Sequence, residues 1–286
     1  MRCRPPSLLL ITALLMLPLA GCGGDSGGAD DARPRSSSTP TGNPAGKALA
    51  HQVPGMSKIV ATTETYAKPD GAALEMDLYT PSGGGRAPVV LLLHGVTPDA
   101  SPKEFGGFVG WGQALASSGV AAAVVNYRAE ESGAGPGADD VEAAIAHLRD
   151  HDRIDMSRWG LLAFSAGGPY GVRAAAADPA GLAAAGFFYA RTEPSSGAGT
   201  DGTSLSTLVT KRRDLPVFAA FGAKDPVPGI AESQRRLQDV VGRDGDGRVL
   251  VRVHPTAGHA FDIDDDEDSG EIVRSGVAFF VEHLLP

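Results

Sequence analysis

The chain has 286 residues, 42% of them hydrophobic and 21% charged, so it can enclose a substantial core, and one large α/β domain suits it better than two small ones. Its formal charge of −9 repels nucleic acid and anionic lipid headgroups, so neither is favoured as a partner held by charge. Both cysteines, Cys3 and Cys22, lie near the start, which leaves the rest of the chain without a disulfide framework.

Arg2 and Arg4 precede an apolar run from Leu8 to Ala20. A hydrocarbon core takes about 20 residues to span, so this run is too short to cross one, yet it suits the apolar region of a secretory signal. It closes on Leu19-Ala20-Gly21-Cys22. That ending resembles the lipobox of bacterial lipoproteins, which implies a signal peptide over residues 1–21, cleavage before Cys22 and diacylglyceryl attachment to its sulfur. The other reading is an ordinary cleavable signal with an incidental cysteine. Two or three acyl chains hold a protein on a bilayer far more durably than one. The resemblance therefore implies an exported protein, lipid-anchored through Cys22 to the outer face of the bacterial cell membrane. The stretch from Gly23 to about Gly55 is dense in Gly, Ser, Pro, Thr and Asp and poor in large apolar residues. It cannot bury enough surface to offset its chain entropy, so residues 22–56 read as a lipidated cysteine and disordered tether, ahead of a folded domain over residues 57–286. Such a tether spans on the order of 30 Å root-mean-square.

Within the folded part, Ile59 to Tyr66 and Leu74 to Tyr79 are β-favouring runs either side of the turn signal Pro69-Asp70-Gly71, and predict an antiparallel pair. Val89 to Leu93 is an unbroken apolar run of the kind found in a parallel strand buried on both faces, and it stops at His94-Gly95-Val96. Phe108, Trp111 and Leu115 recur at helical spacing before Gly119. Val120 to Asn126 predicts a strand, and Val141, Ile145 and Leu148 stripe a helix with Asp139 and Asp140 at its start. Leu161 to Phe164 is a short strand, then Ser165, then an alanine-rich helix from Pro169 to Ala177. Ala183 to Tyr189 is a strand, Thr203 to Arg213 a short helix, and Pro216 to Phe221 a strand running into Gly222-Ala223-Lys224-Asp225. A helix striped by Ile230, Leu237 and Val241 follows, then a strand from Val249 to Val253, the loop carrying His259, and a closing helix that buries Val273, Val277, Phe280 and Leu284. Strands alternating with helices imply right-handed crossovers and a mostly parallel central sheet with helices on both faces. Ligands of such sheets bind beyond the carboxyl ends of the strands. His94, Ser165, Asp225 and His259 each fall just past one.

A serine between strand and helix occupies a sharp turn whose neighbours must be small, and Ala163 and Gly167 meet that need. A serine hydroxyl attacks only when a base takes its proton. Imidazole has the right basicity, and a carboxylate fixes its tautomer and stabilises the cation that forms. Taken singly, Asp225 can merely begin a turn before Pro226, and His259 can be one of seven histidines satisfied locally. In the order Ser165, Asp225, His259, each after a later strand, they resemble the α/β-hydrolase arrangement. His94-Gly95, the Ser165 turn, Gly222-x-x-Asp225 and Gly258-His259-x-Phe261 are similar to the dienelactone-hydrolase and acetyl-esterase branch.

The resemblance implies an α/β-hydrolase fold and a serine carboxylesterase acting on short-chain or accessible esters through an acyl-enzyme. Ser165 would be the nucleophile, His259 the general base and acid, and Asp225 the orienting carboxylate. The backbone N–H groups of Ala166 and Val96 would form the oxyanion hole, with His94 shaping that loop. Three departures stand out. Ala163 replaces the usual first glycine of the turn, Val96 replaces the second glycine of the hormone-sensitive-lipase type, and serine instead of cysteine at position 165 argues against dienelactone hydrolysis itself. No phosphate cradle or zinc spacing appears, so no cofactor or metal is expected. The acidic run from Asp262 to Asp268 lacks the glycine and glutamate of an EF-hand loop and reads as a solvated loop capping the last helix. The alternatives are a non-catalytic ligand- or envelope-binding lipoprotein on the same scaffold, and a prolyl-oligopeptidase-like peptidase for whose propeller domain the chain has no room. Oligomeric state is not written in the sequence.

Overall fold

Five consecutive apolar residues, Val89 to Leu93, are fully buried, and they divide between two cores: Val89, Leu91 and Leu93 face one layer, Val90 and Leu92 the other. That is the period-two signature of a strand covered on both faces. In the computed structural model, which describes residues 46–95, 101–130, 135–194, 203–244 and 247–286, this strand lies near the middle of one eight-stranded sheet. Strands β1 (Thr62–Ala67) and β2 (Leu74–Tyr79) pair antiparallel, and β2 pairs antiparallel with β4 (Ala121–Val125). From β4 onward every pairing is parallel, through β3 (Ala87–Leu93), β5 (Ile154–Phe164), β6 (Leu182–Phe188), β7 (Val217–Gly222) and β8 (Val249–His254). The spatial order is β1-β2-β4-β3-β5-β6-β7-β8. Because β4 and β5 flank β3 on opposite sides, the direction of winding reverses there, which opens a crevice at the carboxyl ends of β3 and β5.

The reversal also sorts the helices. One layer holds α1 (Gly106–Ser117) and α6 (Glu267–Leu284), which contribute Phe108, Trp111, Leu115, Val273, Val277 and Phe280. The other holds α2 (Pro136–Arg149), α3 (Gly168–Ala176), α4 (Leu205–Lys211) and α5 (Ile230–Asp244), with Val141, Leu148, Val172, Leu208 and Leu237 turned inward. The apolar stripes read in the sequence are thus the faces that pack. Among the described residues no helix is long and apolar enough to cross a membrane.

Two boundaries differ from expectation by more than three residues. Strand β5 begins at Ile154, well before Leu161, because Asp155, Ser157 and Arg158 interrupt the apolar pattern while Ala87 and Pro88 of β3 still pair with Ile154 and Asp155. The expected tether, residues 22–56, also ends too late. Leu49 and Met56 are buried, Leu49 packs over Gly110 of α1, and the Ala50 N–H donates to the Asp262 carbonyl at 2.7 Å. Leu49, Val53 and Met56 are few and lie among small and polar residues with a proline and a glycine between them, so the sequence hides this strap. Cys22 and the expected signal peptide lie outside the described residues.

Between β2 and β3 the chain turns through Gly83, Gly84 and Gly85, all exposed and with open space where a side chain would project. Tyr79 of β2 pairs with Ala122 near the start of β4, so this turn lies at the amino ends of the parallel strands, across the sheet from His94 and Ser165.

Candidate active site

Phe164 ends β5 in extended geometry, and Ser165 then takes φ 49°, a left-handed conformation that costs a serine energy. The turn Ser165–Gly167 leads directly into α3. Strand and helix are so close there that a Cβ on Gly167 would lie 2.5 Å from the Leu93 carbonyl oxygen and 2.7 Å from that of His94. Ala163, the residue that departs from the usual glycine, is accommodated from the other side: a Cβ on Gly171 of α3 would meet the Ala163 Cβ at 2.7 Å. The gap between strand and helix holds one methyl group, and here the strand carries it.

The loops after β7 and β8 bring up the other two residues. Gly222 ends β7, and a Cβ there would lie 2.2 Å from the Gly258 carbonyl oxygen, so only glycine lets the two loops cross. Backbone bonds stitch them together, Ala223 N–H to the His254 carbonyl and Lys224 N–H to that of Ala257, each at 2.9 Å. The Asp225 side chain is buried; its Oδ1 accepts the Val227 N–H at 2.9 Å, and its Oδ2 lies 2.8 Å from His259 Nδ1. An ionised carboxylate can only accept, so Nδ1 carries the proton and Nε2 is left with a lone pair. That Nε2 is 2.8 Å from Ser165 Oγ. Ser165, His259 and Asp225 therefore stand in one hydrogen-bonded line, able to draw the proton from the hydroxyl and hold the resulting imidazolium.

Ala166 follows Ser165 in the buried turn, while Val96 lies outside the described residues. Gly95 approaches the serine so closely that a Cβ would sit 2.7 Å from the Ser165 Cβ. His94 is buried beneath this loop, its Nδ1 donating to the Gly95 carbonyl at 2.6 Å and its ring tilted by 37° against that of Tyr127, with centroids 4.3 Å apart. Burial, against the pull of the Gly95 carbonyl, drives its pKa down to about 4. A neutral, enclosed ring supports the loop and has no access to a substrate proton.

A cluster of His254, Asp266 and Asp268 has spacing that invites a metal ion. However, His254 Nδ1 accepts two backbone N–H groups, from Thr256 at 3.3 Å and Ala257 at 3.0 Å, so Nε2 is protonated and donates to Asp266 at 2.9 Å. With both ring nitrogens engaged, His254 is a strut for the loop of His259. Asp266 also accepts the Ser269 N–H at 2.9 Å as the N-cap of α6, as the reading of a helix-capping acidic loop expects. Asp262, grouped with that solvated run, is instead buried. It accepts from Trp111 Nε1 and from the Tyr189 hydroxyl, contacts between remote parts of the chain that no spacing rule exposes.

This sheet order, with a serine turn after β5, an acid after β7 and a histidine after β8, defines the α/β-hydrolase fold. Esterase 2 of Thermogutta terrifontis shares it: the form phosphorylated by paraoxon superposes with TM-score 0.60 at 19% identity, covering 82% of this chain and 97% of that one. Its propionate-bound form gives TM-score 0.60 at 20% identity, with 82% and 98% covered. A bacterial heroin esterase gives TM-score 0.61 at 18% identity, with 81% and 86% covered. No curated protein matches the sequence. The chain belongs to the Dienelactone hydrolase family, whose pattern it matches over residues 111–276, and so is a hydrolase.

Proposed function

We propose that the protein is a serine carboxylesterase acting on short-chain or accessible esters. The observation that carries this is the continuous hydrogen-bonded line from Ser165 Oγ through His259 to the buried Asp225, with 2.8 Å at each step. His259 Nε2 takes the hydroxyl proton as Oγ attacks the ester carbonyl. The oxyanion is held by the backbone N–H groups of Ala166 and Val96. Collapse of the tetrahedral intermediate expels the alcohol, protonated by His259, and leaves an acyl-Ser165. Water, deprotonated by His259, then attacks the acyl group; the acid leaves and the serine is restored. The propionate-bound form of the Thermogutta esterase and its phosphorylation by paraoxon support a small acyl group and a reactive serine here.

The test is labelling by a fluorophosphonate together with turnover of nitrophenyl esters of graded acyl length. Wild type labels and prefers short acyl chains, whereas Ser165→Ala neither labels nor turns over, with kcat lower by about 10⁴-fold or more. A folded wild-type protein that does not label would sink the assignment. We further infer that the mature protein is exported and held on the cell membrane through lipid on Cys22, as the sequence Leu19-Ala20-Gly21-Cys22 supports. Cys22→Ser should then shift it from the membrane fraction to the soluble one.

A further inference from the structure

The reaction described above leaves one deeply enclosed carboxylate beside the site without a role. Asp262 is 2% exposed, and its two oxygens accept from Trp111 Nε1–H at 2.9 Å and from the Tyr189 O–H at 2.8 Å. Both donors are neutral, so neither brings the positive charge that ordinarily accompanies a buried acid. Burial pushes the Asp262 carboxyl up, opposed by the bonds from Trp111 and Tyr189 and by the nearness of His259.

Local backbone geometry holds this arrangement in place. Ala260 takes φ 56°, which turns the chain so that Asp262, three residues beyond His259, faces the interior. Tyr189 takes φ 37° at the end of β6, a conformation a bulky residue adopts only under constraint. Its ring meets the His259 ring edge to face, with centroids 4.7 Å apart and planes at 64°. A chain of contacts thus runs from α1 to the imidazole: Trp111, Asp262, Tyr189, His259. The titratable groups facing His259 among the described residues are Ser165 and Asp225, bonded to it, Tyr189, packed on it, and Asp262 behind Tyr189. Around Asp262 itself they are Tyr189 and His259.

We propose that Asp262 is a positioning residue for His259. Acting through Tyr189, whose hydroxyl it holds and whose ring packs against the imidazole, it places a second buried negative charge behind the base. That charge favours the imidazolium created when Ser165 gives up its proton. Fixed charge in a water-poor interior acts strongly and without reorganisation on charge that develops during a reaction. The role rests on the serine-esterase reading.

The test compares full-length wild type with Asp262→Asn, measuring kcat and KM for nitrophenyl acetate across pH. Loss of the charge makes His259 easier to deprotonate, so the acid limb of kcat/KM moves to lower pH, by about half a unit or more. The same variant lowers kcat about tenfold while KM stays within about twofold, because the lost interaction belongs to the transition state. A folded variant whose acid limb coincides with that of wild type, or lies above it as loosened packing that admits water to the imidazole would place it, overturns the proposal, whatever its kcat. Should circular dichroism show Asp262→Asn unfolded, Asp262→Ser decides. It also removes the charge, in a smaller side chain whose hydroxyl oxygen can still accept from Trp111 or Tyr189, so the limb shifts in the same direction; an unmoved limb is again fatal. Fluorophosphonate labelling separates the two claims. Wild type that labels while the variant limb stays put sinks only the role of Asp262, whereas wild type that neither labels nor turns over ester sinks both.

Discussion

A methyl group added at Gly171 would press on the Ala163 Cβ at 2.7 Å, and neither strand nor helix has room to retreat, because Gly167 already brings α3 against the carbonyl oxygens of Leu93 and His94. Gly171→Ala should therefore destabilise the protein by about 1–3 kcal/mol, the usual cost of overpacking, measured by urea unfolding. Ala163→Gly combined with Gly171→Ala places the one methyl group on the helix instead and should recover most of that loss. A double variant no better than Gly171→Ala alone would show that the two positions do not share one space. The serine turn was legible in the sequence because its demand for small neighbours is local. Asp225 and His259 were legible because each follows a predicted strand and parallel strands end on the same side of a sheet. Tyr189 and Asp262 were not: the bond joining Asp262 to Trp111 spans most of the chain, and in sequence Asp262 is one acid in a run of acids.

At the scale of elements, Asp266 ties α6 to the loop of His259. Burial works against ionising its carboxyl, but bonds from the Ser269 N–H, the His254 ring and the Ser269 hydroxyl outweigh it and bring the pKa down to about 2. A carboxyl with a depressed folded value stabilises the protein above the ordinary aspartate value of 3.8, and that contribution is lost as pH falls through about 2. Asp266→Ala removes the N-cap as well, at a cost of about 0.5–2 kcal/mol at neutral pH. Wild type and variant should differ most at neutral pH and converge in strong acid, by urea unfolding at a series of pH values. A constant difference would mean that the ionised form contributes nothing. Strands and helices were read from periodicity almost to their ends. The start of β5 escaped because its polar residues pair through backbone groups, which leave no hydrophobic trace.

For the molecule as a whole, the strap ahead of β1 matters more than its composition suggests. Leu49 fills a space over Gly110, and Ala50 bonds to the backbone of Asp262, so the amino-terminal segment braces the loop that carries His259. A chain beginning at residue 57 should be less stable than one beginning at residue 46 by at least about 1.5–3 kcal/mol, the value of burying Leu49 alone. Equal urea midpoints for the two would leave the strap without an energetic role. The architecture itself, two helical layers about a mostly parallel sheet, followed from the alternation of strand and helix signals. The brace did not, since three scattered apolar residues among small and polar ones, broken by a proline and a glycine, give too short a pattern to read.

The glycine turn at residues 83–85 faces away from the edge that carries Ser165, and among the described residues nothing lies where its side chains would project. Foreign sequence spliced there, a fluorescent reporter or an affinity handle, would project from the back of the enzyme, and ester turnover should persist at the wild-type rate. Immobilised by that handle, every copy would turn its reactive edge toward the surrounding liquid.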